Sequence, residues 1–106
     1  MMKRSRRECL SVAAIRLDFQ PSENLIEETV LKYVERLRRA GRLRPLRVRF
    51  DGKDYFLEDG FHRLEAARRV GIKTVEVESR PGTLAEMEAE FDKYLERLKA
   101  KLRRPI

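Results

Sequence analysis

The chain has 106 residues and a mass of 12.6 kDa, enough for one domain with one modest core rather than two. Its 25 Lys and Arg outnumber 18 Asp and Glu, for a formal charge of +7, while 42% of the residues are hydrophobic, a balance that excludes an acidic, solvating, disordered chain. No apolar run exceeds four residues and nothing apolar backs the start Met1-Met2-Lys3-Arg4-Ser5-Arg6-Arg7, so the reading is a cytoplasmic domain with neither a membrane span nor a secretory signal.

Leu10 to Leu17 is apolar enough for a first strand, with Cys9 buried beside it as an inert small hydrophobe. A single cysteine makes no internal disulfide and no thiolate cage, and no zinc, haem or flavin is expected. Pro21-Ser22 offers a turn and a side-chain cap, after which Ile26, Val30, Tyr33, Val34 and Leu37 share one helical face. The spacing predicts a helix over 23–40, stopped by Gly41.

From Arg36 to Arg49 the chain carries seven arginines (Arg36, Arg38, Arg39, Arg42, Arg44, Arg47 and Arg49) and no acid. Residues 1–50 hold 13 basic and 6 acidic side chains, against 12 and 12 in the remainder, so the whole excess lies in the first half. Planar guanidinium groups suit bidentate phosphate contacts, which makes Arg38, Arg39, Arg42 and Arg44 candidates for binding a polyanion. The bland alternative is a solubilising face.

Within this stretch Leu46, Val48 and Phe50 alternate with Arg47 and Arg49, the period of a strand with one buried face. Asp51-Gly52-Lys53-Asp54 is then a hairpin turn, with Asp-Gly the favoured type I′ pair, and Tyr55-Phe56-Leu57 the returning strand. Leu64, Ala67 and Val70 fall at helical spacing up to Gly71, and Thr74-Val75-Glu76-Val77 reads as a short final strand. After Pro81-Gly82, Thr83 and Glu86 form a capping box for a helix over about 84–103. Its stripe of Leu84, Met87, Phe91, Tyr94 and Leu98 either packs on the domain or joins two copies in a homodimer.

Chemistry concentrates in Asp59-Gly60-Phe61-His62-Arg63, a glycine-led turn from strand to helix. Glycine lets a ligand approach the main chain, and the open N–H groups of the helix start favour an anion, phosphate above all. Gly60, His62 and Arg63 are the candidate phosphate ligands. Asp59 is a candidate helix cap, base or magnesium ligand, and Glu58 a second candidate for magnesium. Each has a plainer reading: His62 as a solvent-facing first-turn residue, Arg63 as a surface ion pair, and Phe61 as packing beside the hairpin.

From about Val12 to Glu78 the sequence resembles the ParB N-terminal domain and sulfiredoxin superfamily. The likeness rests on Arg39-Ala40-Gly41, Arg42-Leu43-Arg44-Pro45-Leu46-Arg47-Val48, and the run from Tyr55 to Ala67. It implies a small mixed-sheet α/β (α+β) domain, taken as residues 1–80, and the helix beyond the resemblance makes 81–106 a C-terminal helical extension. In ParB proteins the motif is Gly-Glu-Arg-Arg, which binds the triphosphate of CTP with magnesium; Gly60 and Arg63 match, while Phe61 and His62 depart. The family's second nucleotide box is not recognisable, and the helix-turn-helix reader domain is missing, which argues against a full partition role. In sulfiredoxins the motif is Gly-Cys-His-Arg. Gly60, His62 and Arg63 match it, but Phe61 occupies the nucleophile's place and cannot attack. Asp59-Gly60-x-x-Arg63 is also similar to ParB-like free-serine kinases, which use ADP or ATP.

Three functions follow as expectations. The first is a nucleotide-phosphate-binding domain (CTP, ATP or ADP, with Mg), with or without NTPase or phosphotransferase activity. The others are a DNA-binding accessory protein or nuclease, and a ligand-free protein-interaction domain.

Overall fold

The computed structural model describes residues 5–19 and 25–103. Eight regular elements follow in order: β1 (Arg6–Ser11), β2 (Ile15–Arg16), α1 (Glu27–Ala40), β3 (Leu46–Phe50), β4 (Tyr55–Asp59), α2 (Phe61–Val70), β5 (Thr74–Pro81) and α3 (Leu84–Leu102). The strands form one mixed sheet in the order β1-β5-β3-β4-β2. β1 with β5 and β3 with β4 are antiparallel, while β3 with β5 and β2 with β4 are parallel. None of the helices among the described residues is long and apolar enough to cross a membrane.

Alternation along the strands gives the sheet two unlike faces. Leu46, Val48, Leu57 and Val77 point to one side, where Val12, Ile15 and Leu64 of α2 complete the main core. A second cluster, Val30, Val34 and Leu37 of α1 against Ala66 and Ala67 of α2, binds the two helices together. The small alanines permit that close approach. On the opposite face Phe56 joins Phe19 and Met87 beneath α3.

Several expectations change. The first strand is two, because a 3₁₀ turn at Val12–Ala14, capped by the Ser11 side chain, carries the chain from the β1 edge to the β2 edge. Cys9 is exposed rather than buried, since β1 is an edge strand whose half-buried residues are Glu8 and Leu10. α1 begins at Glu27 behind Ile26, which contributes no side-chain cap; Ser22 lies outside the described residues. The β3–β4 turn is not type I′, which needs positive φ at both central residues, because Gly52 alone has it (φ 102°). Asp51 instead accepts the N–H groups of Lys53 and Asp54 at 2.8 and 2.7 Å, and these bonds hold its carboxyl below the usual aspartate value. β5 runs on to Pro81, paired along β3.

The largest departure is Arg49. It shares the face of Phe56 and is 1% exposed, so it leaves the proposed polyanion face entirely. Its Nη2 donates to Glu90 of α3 at 2.6 Å, and its Nε to Glu58 at 3.3 Å. Burial works against the charge, yet the bonds to Glu90 and Glu58 outweigh it and hold the guanidinium above its ordinary value. Gly82 makes room: a Cβ there would lie 2.4 Å from Arg49 Nη1. The expected capping box of Thr83 and Glu86 starts α3. The α3 stripe divides, with Met87 buried and Tyr94, Leu98 and Leu102 exposed.

Candidate functional site

β4 ends at Asp59, and Gly60 turns the chain into α2 with φ 105°. That left-handed angle excludes most side chains, and packing excludes the rest, since a Cβ would sit 2.6 Å from Leu46 Cδ2. The first intrahelical bond is Leu64 N–H to Gly60 O at 2.9 Å. The amides of Phe61, His62 and Arg63 therefore open outward without helical partners, at the positive end of the helix dipole.

Phe61, His62 and Arg63 line a pocket of about 420 Å³, within the size range of small-ligand sites. Asp59 to Arg63 forms one wall, Leu25, Thr29 and Tyr33 at the start of α1 form another, and Leu17 closes an apolar side. Gly60, His62 and Arg63, singled out from sequence, are thus brought to one cavity, together with Glu58 and Asp59.

Their side chains do not all face a ligand. Arg63 Nη1 donates to the carbonyls of Arg44 and Pro45 at 3.1 and 2.9 Å, and Nη2 lies 3.6 Å from Asp59. With its side chain 12% exposed, Arg63 fastens α2 to the chain entering β3 and acts as a positioning residue. Asp59 is its partner and caps nothing; the N-cap is Gly60. His62 Nε2 accepts the N–H of Ile26 at 3.0 Å, which places the proton of the neutral ring on Nδ1.

Glu58 is bonded to Arg49 and, at 3.1 Å, to Arg80. It and Asp59 are therefore both engaged by arginines, and among the described residues no three His, Cys, Asp or Glu side chains converge. Across the rim, Arg69 grips Glu27 of α1 with two bonds of 2.6 and 2.8 Å and Glu65 with one of 3.0 Å. The bond to Arg69 holds the Glu27 carboxyl below its usual range, and the two carboxylates hold Arg69 above its own.

Arg68 was missed by the sequence reading. It lines the pocket, is exposed, and has no ion pair among the described residues. The signal was present, because Phe61, Glu65 and Arg68 stand at i, i+4 and i+7 on one helical face. Of the polyanion candidates, Arg38, Arg39, Arg42 and Arg44 are all exposed. Arg39 pairs with Glu35 at 3.2 Å, and Arg42 and Arg44 flank a smaller hollow of about 140 Å³.

The model of the ParB N-terminal domain family matches residues 2–91. Among solved structures, sulfiredoxin from Arabidopsis thaliana superposes with a TM-score of 0.70 at 23% identity, covering 79% of this chain and 94% of that one. The C-terminally truncated chromosome-partitioning protein ParB from Caulobacter crescentus, complexed with CTP-gamma-S, gives 0.67 at 21% identity, covering 95% of this chain and 56% of that one. A free serine kinase in complex with AMP gives 0.56 at 17% identity, covering 76% and 32%. The chain therefore spans nearly all of the sulfiredoxin but about half of the ParB protein and a third of the kinase. At these identities the likeness is one of fold. No curated protein matches the sequence.

Proposed function

The chain belongs to the ParB N-terminal domain family, and on that premise we propose that the pocket at the head of α2 binds a nucleotide through its phosphates. One observation carries the reading: Phe61, His62 and Arg63, whose amides have no helical partner, and Arg68, which has no ion pair among the described residues, line the same cavity. Amides at a helix start hold an anion without carrying a counter-charge of their own. Arg68 adds charge-assisted donors, and Leu17, Leu25 and Tyr33 give the base an apolar surface. Gly60 lets phosphate reach the backbone, while Arg63 fixes the turn. The CTP-gamma-S and AMP of the structural neighbours belong to those proteins and make CTP, ATP and ADP the first ligands to test. The reading is of binding, and no catalytic step is assigned.

Isothermal titration with each nucleotide, with and without magnesium, tests it. The expected result is micromolar binding, weakened roughly tenfold or more by Arg68→Ala, in keeping with the loss of a charge-assisted hydrogen bond. The melting temperature of that variant stays unchanged because the Arg68 side chain has no ion pair or hydrogen bond among the described residues. Absence of heat with all three nucleotides at millimolar concentration overturns the reading.

A second reading rests on Arg38, Arg42 and Arg44, which are exposed and without ion pairs among the described residues. They support phosphate-driven binding of DNA, which would weaken steeply between two salt concentrations. The exposed Tyr94, Leu98 and Leu102 support self-association through α3, which sedimentation at two protein concentrations tests.

A further inference from the structure

The α1 wall of the pocket is attached to the motif helix through unlike fastenings. Helix α1 has no side-chain cap of its own. The N–H of its N-cap residue Ile26 is accepted instead by His62 Nε2, 36 residues further on, at 3.0 Å. Two turns further along α2, Arg69 holds Glu27, the residue after Ile26, by two hydrogen bonds. Leu25, next to the latched amide, lines the pocket opposite Gly60, so the start of α1 is both a helix end and a cavity wall.

We propose that His62 is a proton-operated latch: neutral, it holds the first turn of α1 and the pocket wall in place, and protonated, it releases them. The inference rests on the pocket's being the ligand site and names a control on it. The chemistry is that of a single lone pair. Nε2 accepts the Ile26 N–H only while it carries no proton; once protonated, both ring nitrogens are donors and the contact becomes donor against donor. Histidine is the side chain that ordinarily changes charge between about pH 5 and 8, which sets the range over which the latch is tested.

The charged neighbours do not supply a substitute. On α2, Glu65 is bonded to Arg69, and on α1 Glu27 is held by the same arginine. On β4, Glu58 is bonded to Arg49 and Arg80, and Asp59 pairs with Arg63. Glu27 and Glu65 share the one guanidinium of Arg69, while Arg68 has no ion pair among the described residues.

Amide hydrogen exchange by NMR in the nucleotide-free protein, across pH 5 to 8, reads the latch directly. After correction for intrinsic exchange, protection of the Ile26 amide is expected to fall by roughly tenfold as the imidazole titrates, the scale of one lost hydrogen bond. His62→Gln keeps an acceptor at the same reach but does not titrate, and should hold the protection flat. His62→Phe should lose it at every pH, with the amides of α2 unaffected. Protection that does not vary with pH in the native protein, or that falls equally in His62→Gln, overturns the latch. No nucleotide enters this experiment, so its failure is separate from failure of the titrations above.

Discussion

Helices are seated on the two faces of the sheet in opposite ways. On the α1–α2 side the contact is wholly apolar, with Ala66 and Ala67 fully buried against Val30, Val34 and Leu37, and the charges stand at the rim as Glu27, Glu65 and Arg69. On the α3 side a single helix residue, Met87, is buried, and a full charge, Arg49, lies beneath with one nitrogen, Nη1, lacking any hydrogen-bond partner. Rim pairs in water are weak and adjustable. A buried guanidinium tolerates little change, because removing one partner strands the others in low dielectric. The pocket lies on the side whose fastenings can be rearranged without disturbing the core.

The contrast breaks most severely at Arg49. Arg49→Ala is expected to lower stability by about 3 kcal/mol, since it opens a void and leaves Glu58 with Arg80 alone. Arg49→Met, which fills the space and removes the unpartnered nitrogen, should cost only about 1 kcal/mol. Urea denaturation of both variants, with exchange protection of α3 as a second readout, measures the difference. Equal losses would show that charge pairing rather than volume seats the helix.

Next in size is Gly60→Ala, expected to cost about 2 kcal/mol through its left-handed backbone and the Leu46 contact. It should also abolish nucleotide binding by displacing the α2 amides. Melting curves and titration heats together check this, and a stable variant that still binds would detach the site from the turn.

The smallest effect sharpens the rim. Glu27 has its pKa held below the ordinary 4.5 by the Arg69 hydrogen bond, so its contribution is present in full above that value and is lost as pH falls through the depressed one. Melting temperatures of the native protein and Glu27→Gln should differ near neutrality and converge in acid. High salt should narrow the neutral difference.

Much of this was legible in the chain. Apolar spacing located α1, α2 and α3; alternation located β3; and Gly41, Gly60 and Gly71 marked turns that the structure builds with positive φ. The strand-to-helix turn of the motif was legible because Asp59 to Arg63 is contiguous, and contiguous residues stay together in any fold. What failed were assignments of side-chain direction and local angle. Cys9 and the Asp51-Gly52 turn depended on which edge a strand occupied and on which residue took the unusual angle.

Sequence by itself determined the three helices, the β3–β4 hairpin, the basic first half and the glycine-led turn, because period, composition and the steric freedom of glycine are local properties. Only the tertiary structure decided the fates of four arginines that look alike in the chain. Arg49 is buried under α3, Arg63 clasps two backbone carbonyls, Arg69 spans to α1, and Arg68 is left open at the pocket. The physical reason is that a guanidinium's role depends on which acceptors come within about 3 Å of it. Those acceptors, Glu90, Arg44, Pro45 and Glu27, lie 18 to 42 residues away along the chain.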